Sequence, residues 1–116
     1  GTSEIYSALL DLEWIKDSLA VDSKDNNSYI LFVKMVDNNK MDTDKISEIQ
    51  DIIKHSLSPK HLPSKVIEVS DIPYTINGKK TEIAVKKIID GEHVDNIDSI
   101  ANPECLKQFS QIKDIC

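Results

Sequence analysis

Apolar side chains recur at the three- and four-residue spacing of an amphipathic helix in two early parts of the chain. Ser3 is placed to cap a first helix, and either Asp42 or Thr43 is placed to cap a second. The pair Ser58-Pro59 would end the second helix, because proline disfavours helical geometry in the residue before it. The inward-facing positions are Ile5, Ala8, Leu9 and Leu12 in the first helix and Ile46, Ile49, Ile52, Ile53 and Leu57 in the second.

Two further helices are predicted nearer the end of the chain. The first covers residues 82–90, and Gly91 suits the left-handed backbone that often follows a helix. The second is short and would begin at Asn102-Pro103, with asparagine as the cap and proline at the first helical position. The apolar positions of these two helices are Val85, Ile88, Ile89, Leu106 and Phe109.

Short β-prone runs alternate with these helices. Residues 19–21 and 29–36 are joined by a polar connector of hairpin length at residues 22–27, which predicts an antiparallel pair. Residues 65–69 predict a third strand, and Pro73 must lie outside the ladder because proline has no N–H to donate. With 116 residues, the chain is predicted to form one α+β domain, in which helices pack against a small, mostly antiparallel sheet.

Charge narrows the classes of partner. The net charge of -6 disfavours a nucleic-acid binder, which needs a positive face for phosphates. All 14 cations are lysines, so a bound anion must meet a lysine or a backbone N–H rather than the bidentate fork of arginine. Residues 54–87 form a basic segment, with seven lysines against three acidic residues. No apolar run reaches the roughly 18 residues of a membrane span, so we expect a cytosolic protein without nucleic-acid or membrane partners.

The usual sites of a self-contained enzyme are missing from the sequence. The three glycines are far apart, which leaves no phosphate-binding glycine loop and no complete ATP site. The three histidines lack the paired helical spacing of a zinc site, so no metal site is predicted. Cys105 and Cys116 lack CxxC spacing and are interpreted as free thiols.

The turn at residues 77–79 is the exception to this lack of candidate sites. Asn77-Gly78 favours a tight turn with positive φ, which would place Lys79 at an exposed and well-defined tip. Taken alone, a lysine after Asn-Gly is most often an ordinary solvated turn residue. The residues on both sides of the turn give this lysine a more specific interpretation.

The turn and its flanks resemble the C-terminal part of acetoacetyl-CoA synthetases, within the adenylate-forming acyl-CoA synthetase superfamily. The resemblance rests on residues 74–80 (YTINGKK), on residues 82–89 (EIAVKKII) after them and on residues 57–63 (LSPKHLP) before them. Residues 1–6 (GTSEIY) resemble the segment that opens the lid domain of acetyl- and acetoacetyl-type synthetases, and residues 102–104 resemble their distal helix. The matching segments follow one another in order along nearly the full chain.

The resemblance implies a ligase that works in two steps. An acid and MgATP give an acyl-adenylate and pyrophosphate, and CoA then displaces AMP to form the thioester. The catalytic lysine of the family directly follows the glycine, which implies that role for Lys79 rather than for Lys80. Lys54 matches a basic position that contacts CoA phosphate in acetyl-CoA synthetases, although arginine is usual there. Lys86 and Lys87 are possible substitutes for an arginine that is common elsewhere in the superfamily.

In this interpretation residues 1–116 form a single C-terminal lid domain, and the N-terminal adenylation domain of the same chain lies outside them. ATP, Mg²⁺, CoA and acetoacetate would be ligands of the whole enzyme, none held tightly by the lid, and the isolated domain is expected to be inactive. Two alternatives stay open. One is the lid of a related synthetase for acetate, propionate or a longer acid; the other is an independent module that binds an anionic partner through residues 54–87.

Overall fold

The computed structural model describes all residues from Gly1 to Cys116. The chain folds into four helices, three strands and five short 3-10 turns. The helices are α1 (Thr2–Ala8), α2 (Thr43–Ser56), α3 (Glu82–Ile89) and α4 (Leu106–Ile112), and the strands are β1 (Ile15–Asp22), β2 (Tyr29–Met35) and β3 (Lys65–Val69). The 3-10 turns are Leu9–Asp11, Pro59–His61, Ile97–Ser99, Pro103–Cys105 and Lys113–Ile115.

The three strands form one sheet in the order β1-β2-β3. The longer pairing, between β1 and β2, is antiparallel and places Leu19 opposite Phe32, as the hairpin signal predicted. The shorter pairing, between β2 and β3, is parallel and places Phe32 opposite Ile67. The direction changes because the chain passes through α2 between β2 and β3, and a connection of that length allows a parallel crossover.

The central strand β2 divides the core into two layers, because successive side chains point to opposite faces of a sheet. Ile30 and Phe32 pack with α3 and α4 on one face, whereas Leu31 and Val33 pack with α1 and α2 on the other. Phe109 of α4 meets Phe32 edge to face, with ring centroids 5.0 Å apart and an interplanar angle of 85°. The predicted α+β fold with helices against a small sheet is therefore confirmed.

The ends of α2 and α3 follow their local signals. Asp42 caps α2 by accepting a hydrogen bond of 2.8 Å from the backbone N–H of Lys45. Gly91 has a φ of +77°, and its N–H donates to the carbonyl of Ile88 while the N–H of Glu92 donates to Lys87. These two bonds form a Schellman motif, which satisfies carbonyls that the helix leaves open.

One predicted cap, Ser3, is wrong, and a second, Asn102, has the predicted position but makes no capping bond. The helix α1 begins at Thr2 with Gly1 in the cap position, so Ser3 lies inside the first turn. Asn102 does occupy the cap position before Pro103, which starts a 3-10 turn that continues into α4, but the Asn102 side chain does not bond to the turn. None of the helices is both long enough and apolar enough to cross a membrane.

Asn102 instead holds the segment that follows β3. Its amide donates to Asp71 Oδ2 at 3.0 Å and to the carbonyl of Ile72 at 2.9 Å, and its oxygen accepts from the N–H of Tyr74 at 2.9 Å. Asp71 also accepts from Lys34 Nζ at 2.8 Å. These contacts outweigh a local cap because they satisfy several polar groups of a partly buried segment at once.

Asp71 should give the domain an acid-labile part of its stability. Burial opposes ionisation of this carboxyl, but hydrogen bonds from Lys34, Asn102 and the N–H of Ile72 outweigh it and lower the pKa below the ordinary 3.8. The stabilisation is complete above pH 3.8, and it is lost as the pH falls further, because the unfolded chain takes up the proton first.

Asp71→Asn is therefore expected to lower the free energy of unfolding at neutral pH by about 1 kcal/mol. Urea denaturation should show this difference shrinking as the pH falls toward about 3. Asp114→Asn is the matched control and should leave the free energy of unfolding unchanged. Asp114 is exposed, and its carboxylate makes no hydrogen bond or ion pair in the structure. A difference that stays constant with pH would contradict the assignment.

Candidate functional site

The predicted tip is part of a small hairpin between β3 and α3. Tyr74 and Lys80 pair across its base as an antiparallel bridge. The N–H of Thr75 donates to the carbonyl of Lys79, and the N–H of Gly78 donates to the carbonyl of Thr75, both at 2.8 Å. Gly78 has a φ of +80°, which glycine adopts without the steric cost that other residues meet. The tight turn predicted at Asn77-Gly78 is confirmed.

Lys79 is an exposed cation without a partner in this domain. Its backbone N–H donates to Thr75 Oγ1 at 3.1 Å, which fixes the start of the side chain. Its ammonium makes no hydrogen bond or ion pair in the structure, and the residue is exposed. A long side chain with a compact charge on an ordered turn is suited to reach an anion outside this domain.

Lys80, the next residue, is held inside the domain. Its Nζ donates to Asp17 Oδ1 at 3.1 Å and to the carbonyl of Ser18, and it lies 3.7 Å from the centroid of the Tyr6 ring. The side chains of Lys80 and Asp17 are each 23% exposed. The two adjacent lysines therefore differ: the ammonium of Lys80 is bonded within the fold, whereas the ammonium of Lys79 is free to contact a ligand.

Asp17 on β1 accepts hydrogen bonds from both residues at the base of the hairpin, Tyr74 and Lys80. Tyr74 donates its hydroxyl to Asp17 Oδ2, while Lys80 donates to Oδ1. Burial raises the pKa of the Tyr74 phenol, and the nearby Asp17 carboxylate raises it further. The phenol therefore stays protonated at neutral pH and keeps its role as a donor. The sequence did not single out Asp17, because nothing in its local pattern distinguishes it from the other acidic residues.

Tyr6 connects α1, β1 and α3 beneath the hairpin. Its hydroxyl donates to Glu82 Oε2 at 3.0 Å and accepts from the backbone N–H of Ala20 at 2.9 Å. Burial raises the pKa of Tyr6; the bond from Ala20 opposes the rise, and the Glu82 carboxylate adds to it. This second protonated phenol holds the first turn of α3, directly after the hairpin, against the sheet.

Lys54 lies on the other side of the sheet. It is exposed on α2, whose Ile49 and Ile53 pack on the face of β2 opposite to α3, and its ammonium makes no bond within the domain. The structure therefore does not bring Lys54 and Lys79 together.

The other two lysines considered in the sequence differ in their availability. Lys86 Nζ donates to the carbonyl of Ser23 at 2.7 Å and lies 3.0 Å from Asp90 Oδ2, so it is engaged within the fold. Lys87 has only a distant ion pair, 3.8 Å from Asp95 Oδ2, and is the more available of the two.

Known proteins match this chain in sequence and in fold, although no protein-family model matches it. Acetoacetyl-CoA synthetase of Gallus gallus is 42% identical over 118 residues, a match that covers 99% of this chain and 18% of that protein. The solved structure of acetoacetyl-CoA synthetase from Streptomyces lividans superposes with a TM-score of 0.90 at 32% identity, over 99% of this chain and 18% of that one. The chain is a C-terminal domain of the acetoacetyl-CoA synthetase family.

A more distant acyl-CoA synthetase from Brucella canis shares the fold over 75% of the chain, with a TM-score of 0.64 at 21% identity. The chain spans about 18% of the length of the curated acetoacetyl-CoA synthetases that it matches. The family resemblance read from the motifs is confirmed, whereas the roles of Lys79 and Lys54 remain predictions.

A cleft of about 340 Å³ adjoins the hairpin. Thr75 pairs with Ile100 beside the cleft, and the N–H of Ile76 donates to the carbonyl of Ser99 at 2.8 Å, so residues 99–100 support the hairpin from its second side. Ile76 is 71% exposed and Ile83, in the cleft wall, is 77% exposed. The free lysine is thus bordered by exposed apolar surface.

The acidic side chains of this domain do not converge on a magnesium site. No three His, Cys, Asp or Glu side chains converge as metal ligands. Gly78 and Gly91 serve a turn and a helix end, so neither belongs to a phosphate loop. Cys105 and Cys116 are free, and burial raises the pKa of the Cys105 thiol to about 11, which makes it a poor nucleophile. The group that this surface offers to an anion is therefore the charge of an exposed lysine.

Proposed function

We propose that residues 1–116 are the mobile lid of an AMP-forming acetoacetyl-CoA synthetase, and that Lys79 is the lysine it supplies to the adenylation step. The enzyme would convert acetoacetate, ATP and CoA to acetoacetyl-CoA, AMP and pyrophosphate. The observation that carries the proposal is the contrast at the hairpin: Lys80 is engaged within the fold, whereas Lys79 is exposed and unpaired. The match to acetoacetyl-CoA synthetases over 99% of the chain supplies the class of reaction.

In the first step, a carboxylate oxygen of acetoacetate attacks the α-phosphorus of ATP, and the bond to the bridging oxygen of pyrophosphate breaks. In the transition state, the negatively charged carboxylate and the negatively charged α-phosphate are brought together and repel each other. The ammonium of Lys79, carried into the pocket of the adenylation domain, neutralises that charge in the transition state. The ordered turn at Gly78 keeps the entropic cost of placing the ammonium low.

In the second step, the thiolate of CoA attacks the acyl carbonyl and forms the thioester bond, and AMP leaves with the electron pair of the broken bond between the acyl carbon and the phosphate oxygen. Lys79 is not needed for this chemistry, so the lid can withdraw the hairpin by a hinge rotation. We propose Lys54 as a contact for a CoA phosphate in this second orientation. Its place on the opposite side of the sheet from α3 supports this, because a rotating domain can present two faces in turn.

The remaining parts of the site would come from the N-terminal adenylation domain of the same chain. That domain would hold the acid, and it would bind ATP together with Mg²⁺, which enters as part of the nucleotide substrate. We propose the cytosol as the place of action, because ATP and CoA are available there and the two cysteines are unpaired, as is usual for reduced compartments.

A comparison of acids tests this function in the full-length enzyme. Acetoacetate should support ATP–pyrophosphate exchange better than acetate or propionate, and residues 1–116 alone should form no acyl-adenylate. A preference for acetate or propionate would point to the lid of a related synthetase. Acyl-adenylate formation by residues 1–116 alone would show that the domain is not a lid that depends on a second domain.

The alternative of an independent anion-binding module is less well supported. Several cations of the basic segment at residues 54–87 are engaged inside the domain, including Lys65, whose Nζ donates to the carbonyl of Ile115, as well as Lys80 and Lys86. Lys54 is free on α2, which packs on one face of the sheet, whereas Lys79 is free in the hairpin whose Tyr74 packs into the layer on the other face. The segment is therefore not one continuous basic surface.

A further inference from the structure

We propose that Asp17 is a positioning residue for Lys79: its carboxylate fixes the base of the hairpin through Tyr74 and Lys80, and so sets where the free ammonium points. This inference rests on the proposed function, because it assumes that Lys79 acts in the adenylation step. It assigns a role in that step to a residue of β1 that does not touch the substrates.

The geometry that carries the inference is a carboxylate shared by both arms of the hairpin. Tyr74 and Lys80 are the paired residues at its base, one entering and one leaving. The Tyr74 hydroxyl donates to Asp17 Oδ2, and the Lys80 ammonium donates to Asp17 Oδ1 at 3.1 Å. One side chain therefore closes the base of the hairpin and ties it to the sheet. Lys79 lies inside the hairpin, immediately before the anchored Lys80.

Asp17 is directed toward the hairpin by an irregularity in β1. Ile15 pairs with Met35 and Asp17 pairs with Lys34, so Lys16 is an extra residue and the register shifts at this point. Such bulges bend a strand locally and redirect the side chains beside them. The N–H of Ser18 donates to Asp17 Oδ1 at 2.8 Å, which holds the carboxylate in place.

The same carboxylate balances the second cation of the hairpin. The ammonium of Lys80 contacts Asp17, the carbonyl of Ser18 and the ring of Tyr6, and these partners leave it no reach toward a ligand. Without the negative charge of Asp17, a partly buried ammonium would lose its ion pair next to Lys79. The loss would loosen the hairpin base, since breaking one member of a partly buried pair leaves the other uncompensated.

Small displacements at the tip matter because charge stabilisation depends on distance. A misplacement of about 1 Å can cost on the order of 100-fold in rate. Asp17→Asn preserves the size of the side chain but removes its charge. In the full-length enzyme we expect it to lower acetoacetate-dependent ATP–pyrophosphate exchange by about 10- to 100-fold. Formation of thioester from a chemically prepared acyl-adenylate and CoA should stay close to wild type, because Lys79 has left the site in that step.

The matched control is Asp22→Asn, which makes the same change in the same strand. Asp22 is exposed, and its carboxylate makes no hydrogen bond or ion pair, so both half-reactions should be unchanged. Lys80→Arg and Lys80→Met form a second comparison: arginine keeps a cation for Asp17 and should retain more exchange than methionine does.

A double-mutant cycle separates positioning from a general loss of structure. If Asp17 acts through Lys79, Asp17→Asn should cause little further loss of exchange in the Lys79→Ala background, because the two effects are not additive. Unchanged exchange in Asp17→Asn, equal loss of both half-reactions, or full additivity with Lys79→Ala would each overturn the inference. If Lys79→Ala itself left exchange unchanged, the proposed function would fail instead, which distinguishes the two results.

Discussion

In the full-length enzyme, Lys79→Ala is expected to lower acetoacetate-dependent ATP–pyrophosphate exchange by about 100- to 1000-fold, the usual effect of losing one well-placed electrostatic contact to a transition state. The substitution removes a charge that has no partner in the domain, so it should leave the fold intact. Steady-state exchange assays should show the loss mainly in kcat, because the ammonium is needed most where negative charge is shared in the transition state.

Lys60→Ala is the control for this prediction. Lys60 is exposed and its ammonium makes no hydrogen bond or ion pair in the domain, but it lies in the 3-10 turn Pro59–His61, away from the hairpin. Its removal should leave exchange unchanged. If Lys60→Ala and Lys79→Ala had equal effects, the loss would reflect net charge rather than a specific contact.

The second large effect is expected in the core. Phe109→Ala should lower the free energy of unfolding by about 3–5 kcal/mol, the usual cost of deleting a buried aromatic side chain. Phe109 is fully buried, belongs to the layer formed with α3, and packs edge to face on Phe32 of the central strand. Because domains of this size are stable by only about 5–15 kcal/mol in total, the variant should be close to unfolding at physiological temperature.

Urea denaturation of residues 1–116 measures this effect. Ile115→Ala provides the control, since Ile115 follows α4 but is 57% exposed, and its truncation should change stability little. A loss below about 1 kcal/mol for Phe109→Ala would show that α4 does not close the core over the sheet.

The sequence predicted those parts of the fold whose signals are local. The antiparallel β1–β2 pair followed from two β-prone runs on either side of a polar connector, and α2 followed from its apolar spacing between Asp42 and Pro59. The turn at Gly78 was predictable because it depends on a backbone geometry that glycine favours. The family resemblance, carried by motifs in order along the chain, was also sufficient to identify the kind of domain.

The sequence could not predict contacts between distant parts of the chain. Asp17 meets Tyr74 and Lys80 across separations of 57 and 63 residues, and no local pattern encodes such a meeting. Asn102 shows the same limit in another form. Its position before Pro103 is typical of a helix cap, but contacts with residues 71–74 use its amide instead. The Asn102 side chain therefore makes tertiary hydrogen bonds instead of the capping bond that its local sequence predicts.

The distinction between Lys79 and Lys80 also needed the structure. Two adjacent lysines cannot be told apart by residue type, and in the sequence only the position directly after glycine favoured Lys79 over Lys80 as the catalytic residue. The structure adds a physical reason, because the ammonium of Lys80 is held by Asp17, Ser18 and Tyr6 while that of Lys79 is free. Sequence and geometry therefore favour the same residue by independent arguments.

The most direct test of the central claim is the rate of thioester formation by full-length Lys79→Ala enzyme supplied with prepared acetoacetyl-adenylate and CoA. If the lid delivers Lys79 for adenylation and withdraws it afterwards, this second half-reaction should proceed close to the wild-type rate in the preparation that has lost exchange. If it falls as far as the exchange reaction, Lys79 supports both steps or the fold itself, and its assignment to adenylation alone is wrong.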